Sequence, residues 1–252
     1  MKKIIFALFI ILISCSSINI ANQGEIDSSI KLLHDISEED YKDEAYVKVM
    51  YSKSQIEEDG KGTIIMDEYY KVLTENGVNK LSYYEIPYNS FYTIVNVKKL
   101  EIIKASNEKI PYNPKNIFET TDAQPKNNIY DKNNKVLAGY IRNLRKGDIL
   151  HIVKELKIIK PKMEKNYWDK FYIESDITYL KRQYIFEYPK SKVLNIFHLN
   201  KKDNPVNFSK KTDGNKMVYT WDIGLTKSQK SEIGTVYPAV WAEQIFYTTF
   251  NN

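Results

Sequence analysis

Cys15 is the one cysteine of the 252-residue chain, and its setting limits the chemistry it can do. Lys2 and Lys3 precede an unbroken apolar run from Ile4 to Ile13, and the run ends in Leu12-Ile13-Ser14-Cys15. A bilayer span needs about 20 apolar residues, so the run is too short to cross and instead has the layout of an export signal. Leu-Ile-Ser-Cys reads as a lipobox, where a bacterial lipoprotein is cut before a cysteine whose thiol receives lipid. The competing reading is an ordinary signal peptide cut further on, near Ala21. Several acyl chains anchor firmly where a single one holds only marginally. An acylated Cys15 leaves no thiol nucleophile and no disulfide.

Other residue types capable of chemistry lack the spacing for it. His34, His151 and His198 are far apart and none falls in a short metal-ligand spacing, so no metal or cofactor is expected. Ser28-Ser29-Ile30-Lys31 and Ser106-Asn107-Glu108-Lys109 both fit Ser-x-x-Lys, but the partner motifs are missing: Lys211-Thr212-Asp213-Gly214 half-resembles Lys-Thr-Gly, and Ser-Asp-Asn does not occur. Carboxylates are plentiful (Asp67, Glu68, Glu174, Asp176, Glu187). A glycosidase needs two of them facing each other about 5 to 9 Å apart, and solvated charges on strand faces are the simpler reading. There is no glycine-rich phosphate loop. The remaining candidate is aromatic: Tyr167, Trp168, Phe171 and Tyr172 could stack on a sugar or peptide, or could fill the space between two sheets.

The elements that must position these residues are mostly strands. A small, polar tether over 15–24 precedes a short helix from about Asp27 to Ile36, where Ile26, Ile30 and Leu33 recur at helical spacing. From Ala45 the period becomes two. Asp59-Gly60-Lys61-Gly62 and Glu75-Asn76-Gly77 read as hairpin turns, bounding strands over 63–73 and 79–86, the latter ending near Pro87. Further strands are expected at 93–104, 136–141, 149–159, 177–188, 193–199, 206–211 and 216–221, with one more near Phe118 inside a long Asn- and Pro-rich loop, and a last one over 237–250. In the strand over 149–159, Leu150, Ile152, Leu156 and Ile158 share a face that Lys154 interrupts, as it would near a sheet edge. Many short strands with regular turns imply an all-β fold, an antiparallel β-sandwich with a short N-terminal helix. The 20 tyrosines suit pleated, half-buried surfaces. The net charge of +5, two units of which leave with Lys2 and Lys3, is spread along the chain and gives no argument for nucleic acid.

Several motifs stand in a telling order: Asp67-Glu68-Tyr69-Tyr70-Lys71-Val72-Leu73-Thr74-Glu75-Asn76-Gly77, Ile86-Pro87-Tyr88, Leu144-Arg145-Lys146-Gly147-Asp148-Ile149-Leu150, Phe186-Glu187-Tyr188-Pro189 and Tyr219-Thr220-Trp221-Asp222. Over about Glu39 to Phe250 the chain resembles the β-rich domain of unknown function that precedes a transglutaminase-like domain in exported bacterial proteins. In that family, the segment like Tyr237-Pro238-Ala239-Val240-Trp241 leads through a helical linker into a papain-like domain with a Cys-His-Asp arrangement. The sequence here ends at Asn252, so no residue matches that triad and the family's activity does not carry over.

These readings combine into one expectation: signal over 1–14, tether over 15–24, β-sandwich over 25–252, lipid-anchored outside the cytoplasm with the membrane leaflet left open. The module would be non-catalytic, binding or scaffolding, with an envelope protein or glycan as partner, and accessory to a transglutaminase-like enzyme. The alternatives are a carboxylate-dependent hydrolase of envelope glycan or peptide, and a non-functional remnant of a longer protein.

Overall fold

The computed structural model describes residues 20, 23–113, 116–121, 131–229 and 238–250. Cys15 and the segment read as its lipobox lie outside them, as do most of the stretch read as a tether and Tyr237. Helix α1 (Gln23–Asp35) leads, followed by strands β1 (Tyr46–Ile56) and β2 (Gly62–Val72), a short helix α2 (Glu75–Leu81), β3 (Tyr83–Asn89), β4 (Thr93–Ile103), β5 (Lys109–Pro111), β6 (Ile117–Thr121), β7 (Asn134–Tyr140) and β8 (Ile149–Ile158). Then come β9 (Trp168–Tyr172), β10 (Thr178–Pro189), β11 (Asn195–Leu199), β12 (Val206–Asp213), β13 (Lys216–Ile223), a single helical turn α3 (Pro238–Trp241) and β14 (Gln244–Thr248).

The strands form one eight-stranded sheet in the order β12-β13-β10-β1-β2-β8-β4-β5, and two three-stranded sheets, β11-β14-β9 and β3-β7-β6. The expected all-β sandwich with an N-terminal helix is what the chain builds. The large sheet is antiparallel except where β1 runs parallel to β10. Side chains alternate between its faces. One face carries Val47, Val49, Tyr51, Tyr69, Ile103 and Ile149, and Ile30 and Leu33 of α1 close over them. The other face is covered twice. At one end Phe186, Tyr188, Tyr219 and Trp221 pack against Phe171, Ile245 and Tyr247 of the β11-β14-β9 sheet. At the other, Tyr70, Leu100, Leu150 and Ile152 pack beneath Leu81, Ile141 and, from the β3-β7-β6 sheet, Tyr84 and Ile117. The two small sheets thus share one face of the large one and leave its middle open between them.

Four sequence expectations change. The helix starts at Gln23, inside the stretch read as tether. Glu75-Asn76-Gly77 is not a hairpin turn but the start of α2, because the Thr74 side chain caps it by accepting from the Gly77 amide. Gly77 is also required by crowding: a Cβ there would stand 2.1 Å from the Ala45 carbonyl oxygen. Pro87 lies inside β3 rather than ending it, as an edge strand allows, since its missing N–H costs no ladder bond on the open side. The segment over 237–250 divides into α3 and β14 around Ala242-Glu243.

Candidate binding groove

Two depressions meet along the open middle of the large sheet. The outer one, about 190 Å³, is lined by Ile64, Leu156 and Ile158 below, and by Tyr92, Lys160, Lys162 and Trp168 around its mouth. The inner one, about 290 Å³, runs over Ser52, Ser54, Met66, Glu68 and Lys48 under β9. Ile64 and Asp169 line both, so the two form one groove.

Its inner floor is charged. Glu68 accepts from Lys48 at 2.7 Å and from Lys154 at 2.9 Å, and from the Tyr84 hydroxyl at 3.1 Å. Burial by itself would raise the Glu68 carboxyl, but the two ammonium groups outweigh it and hold it at about 2. The Lys48 ammonium is raised in return: its burial opposes the charge and Glu68 more than compensates. Lys154, the residue that interrupts an apolar face, therefore does not mark a sheet edge. Its strand β8 lies between β2 and β4, and its charge completes this cluster. Asp169 borders both chambers. Burial raises its carboxyl, against the Lys170 amide at 2.8 Å and the Tyr167 hydroxyl at 3.1 Å, which favour the anion.

The aromatic patch divides by the two-residue alternation of β9. Tyr167 and Phe171 are buried. Phe171 stacks on Tyr184 with ring centroids 3.9 Å apart and lines the inner chamber, and Tyr167 lies at the mouth. Trp168 is 40% exposed at the mouth, 6.2 Å from Phe246 between ring centroids. Tyr172 faces outward, away from the groove, with its hydroxyl accepting from Lys170 at 2.8 Å. Three of the four therefore border one cavity. Asp169, Lys160 and Lys162 were not legible as its members. The available signal was Lys154, a lone charge in an apolar alternation.

The other charged residues are tied up elsewhere. On the opposite face, His151 is buried between two carboxylates, Nε2 to Asp67 and Nδ1 to Glu101, both at 2.8 Å, with Tyr69 stacked on the ring at 4.1 Å. Burial disfavours the imidazolium, but the two carboxylates outweigh it and raise its pKa; Glu101, despite its burial, falls to about 2. His198 binds the buried Glu243, which also accepts from Asn204, while Glu174 takes Lys202 and the Glu243 amide. Glu187 pairs with Lys53, and Asp176 is exposed. Ser28 and Ser29 bond back to helix carbonyls, and Ser106 and Lys109 flank the turn between β4 and β5. Among the described residues, no group of His, Cys, Asp and Glu could hold a metal ion, and no helix is long and apolar enough to cross a membrane.

One large sheet carrying two small ones on a single face is an architecture found in solved proteins. The chain superimposes with a TM-score of 0.71 on the crystal structure of a "putative protease" from Parabacteroides distasonis ATCC 8503, at 10% identity, over 81% of this chain and 40% of that one. At that identity the likeness is one of fold, and this chain spans less than half the length of the solved protein. In sequence, residues 58–230 match the model of the family described as "Domain of Unknown Function with solved-structure structure (DUF3857)", and the chain belongs to that family. No curated protein matches it.

Proposed function

We propose that this chain is a lipid-anchored, extracytoplasmic binding module that does no chemistry of its own and holds its partner in the groove beside β9. The observation that carries this reading is the contrast within the site. Asp67 and Glu101 meet across His151, and Glu68 is held alone between two lysines, so neither supplies the free carboxylate pair that hydrolysis needs. The groove mouth, by contrast, presents an exposed Trp168 and lysines, the equipment of recognition. The same contrast weighs against the hydrolase alternative.

The anchor rests on the Cys15 lipobox. Seven residues separate Cys15 from the start of α1, a reach of at most about 29 Å at full extension, so the domain would work close to the bilayer and on ligands of the envelope. A transglutaminase-like enzyme made as a separate chain remains the protein partner favoured by the family resemblance.

Two measurements test the proposal. Labelled palmitate is expected in the wild-type chain and not in Cys15→Ala, with the wild type sedimenting with membranes; equal labelling of both would remove the anchor. The mature protein, coupled to resin and exposed to gently solubilised envelope, is expected to retain a polymer or protein that Trp168→Ala does not. Hydrolysis of envelope glycan or peptide by the purified chain would overturn the non-catalytic reading.

A further inference from the structure

The groove runs beside an open strand edge. β9 is the last strand of its sheet and pairs on one side with β14. On that side the odd-numbered main chain is used at the two ends of the strand: the Tyr167 carbonyl accepts from Thr249, and the Ile173 amide donates to the Glu243 carbonyl. Antiparallel alternation then turns the main chain of Trp168, Lys170 and Tyr172 toward the other side. The side-chain contacts there agree. The Asp169 carboxylate accepts from the Lys170 amide at 2.8 Å, where the carbonyl of a neighbouring strand would stand, and Arg182 donates to the Tyr172 carbonyl at 2.8 Å. Side chains thus guard this edge in place of a partner strand.

The chemistry around the mouth is cationic. Lys160 stands 3.8 Å from the centroid of the Phe91 ring and Lys162 stands 5.5 Å from that of Trp168. Neither stands within ion-pair distance of a carboxylate among the described residues, although the Lys162 charge favours the Asp169 anion nearby. The floor below them, Ile64, Leu156 and Ile158, is half-buried and apolar. An occupant that satisfies all three features has a main chain to pair with β9, apolar side chains on one face for the floor, and carboxylates for Lys160 and Lys162.

We propose that the groove takes an extended acidic peptide, which adds as a strand to the open edge of β9 and displaces the Asp169 carboxylate from the Lys170 amide. This rests on the binding reading above and names its ligand class. Main-chain pairing would supply affinity, and alternate side chains would supply selectivity.

The test uses the mature chain and three synthetic heptapeptides: one alternating valine and glutamate, one alternating valine and lysine, and the glutamate peptide with alternate amides N-methylated. Binding is read by Trp168 fluorescence and calorimetry. The glutamate peptide is expected to bind at least tenfold more tightly than either of the others. The double variant Lys160→Glu/Lys162→Glu should lose that preference. Lys170→Pro, which removes an edge amide and spares the β14 ladder, should weaken binding tenfold, with the melting point lowered only by the lost bond to Asp169; if it does not fold, the N-methylated peptide carries the same question. Equal binding of all three peptides overturns strand addition. If no peptide binds while a chito-oligosaccharide quenches Trp168 or resin retains an envelope polymer, the peptide proposal falls and the binding reading stands. If nothing binds in either experiment, both fall.

Discussion

Asp67 and Glu68 are neighbours in the chain and serve opposite faces of the large sheet. Asp67 turns toward α1 and meets His151, which bridges it to Glu101 under the Tyr69 ring. Glu68 turns toward the small sheets and lies on the floor of a groove between Lys48 and Lys154. On the α1 face Asp67, His151 and Glu101 form a set that Lys99, 3.1 Å from Glu101, closes from outside, so that each partner is satisfied. On the groove face the set is open toward the cavity that Lys48 and Glu68 line, while Lys154 is half-buried and donates to the Tyr84 hydroxyl at 3.3 Å. The same strand period and nearly the same residue types thus yield a staple on one side and a lined cavity on the other. The difference comes from what lies above each face.

The sharpest way to break this comparison is to remove the staple. His151→Ala leaves Asp67 and Glu101 buried, with only the half-exposed Lys99, 3.1 Å from Glu101, as a cation, a loss of about 3 kcal/mol, measured as a shift in the urea midpoint at unchanged slope. On the groove side, Glu68→Gln strips Lys48 of its counter-charge; with Lys154 free to turn to water, the loss is expected to be about 2–3 kcal/mol. Equal losses for the two variants would mean that the groove floor is as sealed as the α1 face.

The pH dependence sets His151 apart from the carboxylates of both faces by sign. His151 has a raised pKa, so its contribution is complete below the ordinary imidazole value of 6.5 and is lost as pH rises through the folded value. Glu101 has a lowered pKa, so its contribution is complete above 4.5 and is lost as pH falls toward about 2. Glu68 adds an acid slope of the same sign over the same range. Stability should therefore be highest between pH 4.5 and 6.5. His151→Gln should abolish the alkaline slope and Glu68→Gln should leave it intact, as followed by thermal melts across pH. The smallest effect is expected at the mouth, where Trp168→Ala should change stability by no more than about 0.5 kcal/mol while binding of the groove's ligand is lost.

The parts legible in the sequence were those that depend on near neighbours. Alternation over 149–158 and the turn at Asp59-Gly60-Lys61-Gly62 follow from side-chain period and turn chemistry, and both stand in the structure. The reading failed where a distant residue intervened. Glu75-Asn76-Gly77 looks like a hairpin until Thr74 caps a helix there and the Ala45 carbonyl crowds Gly77. The three histidines were read as unremarkable because Asp67 and Glu101 are 84 and 50 positions from His151, distances no local pattern can span. The aromatic patch was visible as residues, but its division into core and mouth waited on which face of β9 met the large sheet.

From the sequence alone came the class of fold, the family resemblance and the expectation of an export signal ending at Cys15, since each rests on local spacing. Only the tertiary structure set two small sheets on one face of a large one, joined Lys48 to Glu68 and Lys154, and opened a groove along the edge of β9. The physical reason is that period-two patterning states that a side chain is inward or outward, and says nothing of what waits on that side. Partners are chosen by sheet order and register, through contacts between residues far apart in the chain.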